Sequence, residues 1–137
     1  MTIMHTTYKG DLRTEATHLQ SGNKIFTDAP LDNHGKGEAF SPTDLFTVSY
    51  STCILTIMGL AAQNQGFSID GATAETEKIM SKNPRRVGEI IIKFVFPHND
   101  YTDREKKTLE RIVPTCPVGG SLHPDIKQTI TLSYKGE

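Results

Sequence analysis

Cysteine is scarce in this chain: there are two in 137 residues, Cys53 and Cys116. Two thiols cannot build the disulfide framework of a small secreted domain, and a chain of this size buries roughly two thirds of its unfolded surface without one. Neither CxxC nor HxxxH occurs. The close ligand spacings of a zinc site are therefore missing, and His18, His34 and His123 could supply nitrogen ligands only if the fold gathered them. An excess of one charge is also lacking. Lys+Arg at 15 against Asp+Glu at 16 leaves a formal net charge of -1, which offers no basic field to a phosphate backbone and argues against nucleic acid as a partner. The opening MTIMHTTYKG has neither the basic nor the apolar region of a signal peptide. The longest strongly apolar run, Cys53 to Ala62, is about ten residues, half of what a membrane span needs. The expectation is a cytoplasmic protein with no membrane partner. In that reducing setting the two cysteines are either inert core residues or a transient redox or metal pair.

What is present reads as one mixed domain over residues 1–137. Three short strand-like runs open it, Ile3 to Tyr8, Leu12 to His18 and Lys24 to Thr27, with LQSGN turning between the second and third. Asp28 to Phe40 is dense in Gly, Asp and Asn and reads as a loop. A helix of about 24 residues follows, because SPTD offers an N-cap Ser41, Pro42 at the first helical position and Asp44 three residues after the cap, while Gly66 suits the position past the C-terminus. Its apolar residues, among them Phe46, Val48, Ile54, Ile57 and Leu60, take up too much of the circumference for a surface helix, so burial on most sides is expected. One chain of this size offers little cover for it. A dimer packing two such helices together resolves the conflict, with Gly59 permitting close approach. Phe67 to Lys78 and Val87 to Phe96 read as a hairpin around MSKNPRR, Tyr101 to Val113 as a second helix capped by Thr102 or Asp103, and Asp125 to Tyr134 as a last strand.

Cys53 lies on a helical stripe with Phe46, Ser49, Ile57 and Leu60. By itself it reads most simply as a small buried hydrophobe, unreactive because low dielectric raises a thiol pKa. Cys116 precedes Pro117, which cannot continue a helix but suits the first position of a new one. That places Cys116 at an N-cap facing free backbone N–H groups that favour the thiolate. The plain alternative is a loop cysteine beside a helix break. PVGGSL lacks the Lys-Ser/Thr ending of a phosphate loop. Arg85-Arg86 reads as a solvated turn before it reads as an anion holder. Arg13 has a fixed strand direction and, if it faces the cysteines, could stabilise a thiolate.

Taken together, GKGEAFSPTDLF leading into STCILTIMGLAA, then NPRRVGEI, then PTCPVGGSLHPDI resemble the OsmC/Ohr family of thiol-dependent peroxide-handling proteins, and the OsmC-like branch most closely. The resemblance covers nearly the whole chain. It implies an α+β fold, an intertwined homodimer whose long central helix bears one cysteine and packs between antiparallel β-sheets. It also implies a peroxide substrate, a dithiol or thioredoxin-type reductant and no cofactor or metal. Cys53 would be the peroxidatic thiol and Cys116 the resolving one, joining in a disulfide. Arg13 is the candidate thiolate partner, and Phe46, Ser49, Ile57 and His123 are candidate pocket residues. Family members with strong peroxidase activity carry a glutamate ten residues before the reactive cysteine, where this chain has Thr43. The family arginine has no clear counterpart beyond Arg13 or His18. Those departures keep an alternative open, a non-catalytic binding protein for a small hydrophobic or reactive-sulfur ligand at the dimer interface.

Overall fold

A computed structural model describes residues 1–137, which form two compact units, Met1–Phe46 and Thr47–Glu137. Each is described on its own.

The first unit is a three-stranded antiparallel meander, β1 (Met4–Gly10), β2 (Arg13–His18) and β3 (Lys24–Asp28), in the order β1-β2-β3. The β1–β2 connection is a two-residue loop, with Gly10 opposite Arg13 and both Asp11 and Leu12 at positive φ, the twist that suits a tight hairpin. The expected turn at LQSGN forms with His18 N–H donating to the Asn23 carbonyl at 2.8 Å. Register then places Arg13 directly opposite Asp28. The loop from Ala29 to Phe40 folds back on the end of β3. At Gly35 any Cβ would lie 1.7 Å from the Ala29 carbonyl oxygen, so only glycine lets the backbone pass.

Helix α1 spans Pro42–Gln65, matching the bounds its sequence signals dictate. Ser41 Oγ accepts from Asp44 N–H at 3.0 Å while Asp44 Oδ2 accepts from Ser41 N–H at 2.9 Å, a reciprocal box with aspartate in the glutamate role. In the second unit its stripe Tyr50, Ile54, Met58 and Ala62 is buried in one core with strands β4 (Thr73–Ser81), β5 (Arg86–Phe96) and β6 (Lys127–Tyr134). β5 is the middle strand, and the period of two along it buries Ile90, Ile92, Phe94 and Phe96 on one face. Helix α2 (Asp103–Ile112) starts at a Thr102–Glu105 capping box and buries Leu109, and a short helix α3 (Pro117–Gly120) follows it.

The structure corrects two expectations and bears on two more. β4 begins at Thr73, not Phe67. SIDG turns instead, Gly71 taking φ 89° and Tyr101 Oη donating to the Ser68 carbonyl at 2.9 Å. The sheets are not all antiparallel: β6 runs parallel to β5, since α2 and α3 form a crossover between them rather than a hairpin. Within one chain α1 is covered on one stripe only. Leu60 is 58% exposed, Thr52 and Thr56 are exposed, and a Cβ at Gly59 would meet nothing within 4 Å. Finally, α1 as a whole is long and apolar enough, by length and composition alone, to cross a membrane. Its buried stripe nevertheless belongs to the core of the second unit, which a core helix also explains.

Candidate functional site

Both thiols belong to the second unit and border one apolar core. Cys53 projects from the middle of α1 and is half-buried, while Cys116 is 1% exposed and caps α3 in an extended conformation (φ −63°, ψ 124°). The cap arises as the sequence dictates: α2 ends in a tight turn through Pro114, Cys116 N–H donates to the Val113 carbonyl at 3.3 Å, and Pro117 opens the next helix. Both cysteines are free, and Cys53 packs against the core cluster that contains Cys116, near enough to act on its acidity. Burial pushes the Cys116 thiol up, and its contact with Cys53 adds to this. The backbone amides of Gly119 and Val118 pull the other way. Burial therefore sets its acidity first, with a thiol and two amides adjusting it.

Tyr50 lies against this pair. It is 2% exposed, and its hydroxyl donates to Gln128 Oε1 on β6 at 2.6 Å. Burial raises its pKa first, and the proximity of Cys116 and then Cys53 raises it further. Its ring packs directly on α3: a Cβ at Gly119 would sit 2.9 Å from Tyr50 Cε1. Sequence reasoning does not single out Tyr50, Gly119 or Gln128. The available signal is spacing, since Tyr50 precedes Cys53 by three residues and Gly119 follows Cys116 by three, each one turn away.

The other candidates are distributed differently. Arg13, in the first unit, is bound in a fork to Asp28, Nε to Oδ1 and Nη2 to Oδ2 both at 2.7 Å, with Glu38 Oε2 at 3.4 Å from Nη2. The pairing raises the guanidinium pKa, through the Asp28 hydrogen bonds first, and holds the Asp28 carboxyl below its usual range. Its charge is engaged in a structural fork rather than left open. Thr43, in the position of the family glutamate, places its hydroxyl 3.3 Å from Ser41 Oγ at the start of α1. Phe46 is exposed. Ile57 is half-buried against the core, and Ser49 is half-buried with its carbonyl accepting from Thr52 Oγ1. His123 is exposed, its Nδ1 accepting from Asp125 N–H at 3.0 Å, and Asp125 in turn pairs with Arg86 at 3.1 Å. His123 and Arg86 thus belong to a surface cluster. No three His, Cys, Asp or Glu side chains gather in a way that could hold a metal ion.

A protein-family model described as OsmC-like protein matches residues 35–131. Among solved structures, a Psychrobacter arcticus protein named for an osmotic stress induced and detoxification response is 50% identical, with a TM-score of 0.91 and 96% of each chain covered. Two more distant structures share the fold. The organic hydroperoxide resistance protein OsmC from Legionella pneumophila is 16% identical (TM-score 0.72, 97% of this chain and 96% of that one). A Vibrio cholerae protein described as an organic hydroperoxide resistance protein, with captopril bound in one of its active sites, is 15% identical (TM-score 0.68, 98% and 92%). No curated protein sequence matches. With the family model spanning most of the chain and half the residues shared with a structure of nearly the same extent, this chain belongs to the OsmC-like protein family.

Proposed function

We propose that the chain is a thiol-dependent peroxidase that reduces organic hydroperoxides and works as a homodimer in the cytoplasm. The observation that carries this reading is that a half-buried, free Cys53 packs against the same core cluster as a buried, free Cys116, close enough to raise its pKa. The difference in exposure supports the order of events. A hydroperoxide reaches Cys53 first. The Cys53 sulfur attacks the distal oxygen, the O–O bond breaks, and the peroxide is reduced to an alkoxide that takes up a proton and leaves as alcohol. Cys53 becomes a sulfenic acid. The Cys116 thiol, held protonated by burial and by Cys53, then attacks that sulfur; the S–S bond forms and the hydroxyl leaves with the thiol proton as water. An external dithiol reopens the disulfide by exchange, supplying the two electrons.

The preference for organic peroxides rests on the aliphatic residues that share the Cys53 stripe of α1, Ile57 and Leu60. It is supported by the names of the Legionella and Vibrio relatives. The homodimer is supported by the uncovered outer stripe of α1 and by the apolar side chains that the first unit leaves in solvent, such as Met4, Tyr8 and Phe26.

Peroxide consumption with a dithiol reductant tests the reading. Wild type should turn over cumene hydroperoxide, Cys53→Ser should show only the background rate, and Cys116→Ser should stop at a sulfenic acid. Equal rates in wild type and Cys53→Ser would end it. An unchanged mass after peroxide treatment of wild type would favour the binding-protein alternative.

A further inference from the structure

We propose that Tyr50 is a positioning residue that sets the gap across which Cys53 and Cys116 close, with Gly119 as its seat and Gln128 as its anchor. The inference rests on reading the two cysteines as a redox pair. Tyr50 lies one helical turn before Cys53 on the same face of α1, and Gly119 lies one turn after Cys116 in α3. The Tyr50–Gly119 contact and the Cys53–Cys116 contact therefore join the same two segments, as two rungs side by side. The upper rung is tight. A Cβ on residue 119 would stand 2.9 Å from Tyr50 Cε1, closer than real Cβ atoms keep, and 3.0 Å from Oη and 3.2 Å from Cζ, so the ring or α3 would have to give.

The ring cannot easily retreat, because it is buried and its hydroxyl is tied to Gln128 at 2.6 Å. α3 is the more yielding side: it is four residues long, with Pro117 and Gly120 exposed. A wider upper rung would push the Cys116 turn outward by a few tenths of an ångström. Disulfide closure tolerates little of this, since the two Cβ atoms must come within about 3.5–4.5 Å and the sulfurs to about 2.05 Å. The step affected is the second one, in which the Cys116 thiol displaces hydroxide from the Cys53 sulfenic acid and water leaves. Tyr50 would thus govern how long the sulfenic acid survives, and with it the chance that a second peroxide oxidises it irreversibly to sulfinic acid.

The test is a peroxide pulse on the full chain in the presence of dimedone, a 1,3-diketone that traps sulfenic acids, read by mass spectrometry. Wild type should lose two hydrogens and carry little adduct. Gly119→Ala should close about tenfold more slowly and accumulate the dimedone adduct on Cys53. Combining Gly119→Ala with Tyr50→Leu, which removes the ring that the new methyl meets, should restore part of the closure rate, a rescue that mere loss of stability would not give. Gln128→Leu, at an exposed site on β6, loosens the anchor and should raise adduct yield even if Gly119→Ala fails to fold. Wild-type closure no faster than Gly119→Ala, or no rise in adduct with Gln128→Leu, overturns the inference alone. A wild type that never loses the two hydrogens overturns the redox reading and the inference with it.

Discussion

The two units of this chain are held together by different forces. In Thr47–Glu137 fourteen apolar side chains are buried around α1 and β5. In Met1–Phe46 the buried side chains are Thr27, Asp28 and Ser41, all polar, while Ile3, Met4, Tyr8, Ile25 and Phe26 stay more than 40% exposed. A three-stranded sheet needs an apolar face covered by something to be stable by itself. The first unit instead relies on cross-strand pairs, the Thr14–Thr27 hydroxyl contact and the Arg13–Asp28 fork, and leaves its apolar side chains in solvent, where the proposed homodimer would cover them. Hydrophobic burial should therefore govern stability in one region, and specific polar bonds plus self-association in the other.

The sharpest way to break this comparison is to truncate one phenylalanine in each unit. Phe94, fully buried in β5, should cost about 3–5 kcal/mol when changed to alanine, by lost transfer energy and a cavity. That loss should not vary with protein concentration. Phe26→Ala should cost no more than about 0.5 kcal/mol in dilute solution, where an exposed side chain has little to lose. Its cost should grow as concentration favours the proposed homodimer. Denaturant titration at two concentrations separates the two cases, and a concentration-independent loss at Phe26 as large as that at Phe94 would contradict it.

A smaller effect should follow pH. Arg13 lowers the Asp28 carboxyl below the unfolded value of about 3.9. A depressed acid stabilises the fold at pH values above its unfolded pKa, and that contribution is lost as pH falls through the lower folded value, because the unfolded chain then binds the proton more readily. Acidification from pH 5 to pH 3 should thus expose the β2 and β3 amides to hydrogen exchange several-fold before those of β5. Asp28→Asn should remove this pH dependence while leaving β5 protected at both values.

How much of this was legible in the sequence divides along the line between local and distant causes. The bounds of α1 follow from Ser41, Pro42, Asp44 and Gly66, neighbours that cap each end, and the apolar alternation of β5 is visible in EIIIKFVF. Cys116 at an N-cap follows from Pro117 alone. The parallel pairing of β6 is not legible, because it depends on where a crossover delivers the chain rather than on the strand's own residues. The same holds for Arg13, whose partner Asp28 is set by register with the neighbouring strand β3, and for Tyr50, whose hydroxyl finds Gln128 seventy-eight positions later. That Cys53 and Cys116 meet could not be read from periodicity. That pairing came from the family resemblance, and the packing of Cys53 against the cluster that contains Cys116 is consistent with it.

The smallest expected effect sharpens the comparison at matched sites, since α1 and α2 each begin with a reciprocal capping box. At α1 the hydroxyl belongs to Ser41, which is 1% exposed and lies in the unit whose interior is polar. At α2 it belongs to Thr102, which is exposed and accepts from Glu105 N–H at 3.1 Å. Removing a cap hydroxyl costs roughly 0.5–2 kcal/mol, and the loss is greater where water cannot replace the bond. Ser41→Ala should therefore fall near about 2 kcal/mol and Thr102→Ala near about 1 kcal/mol or below, measured by urea denaturation under one buffer condition. If the exposed cap proved the costlier of the two, specific polar bonds would not be what holds the first unit in shape, and its order would have to come from the surface that a second copy covers.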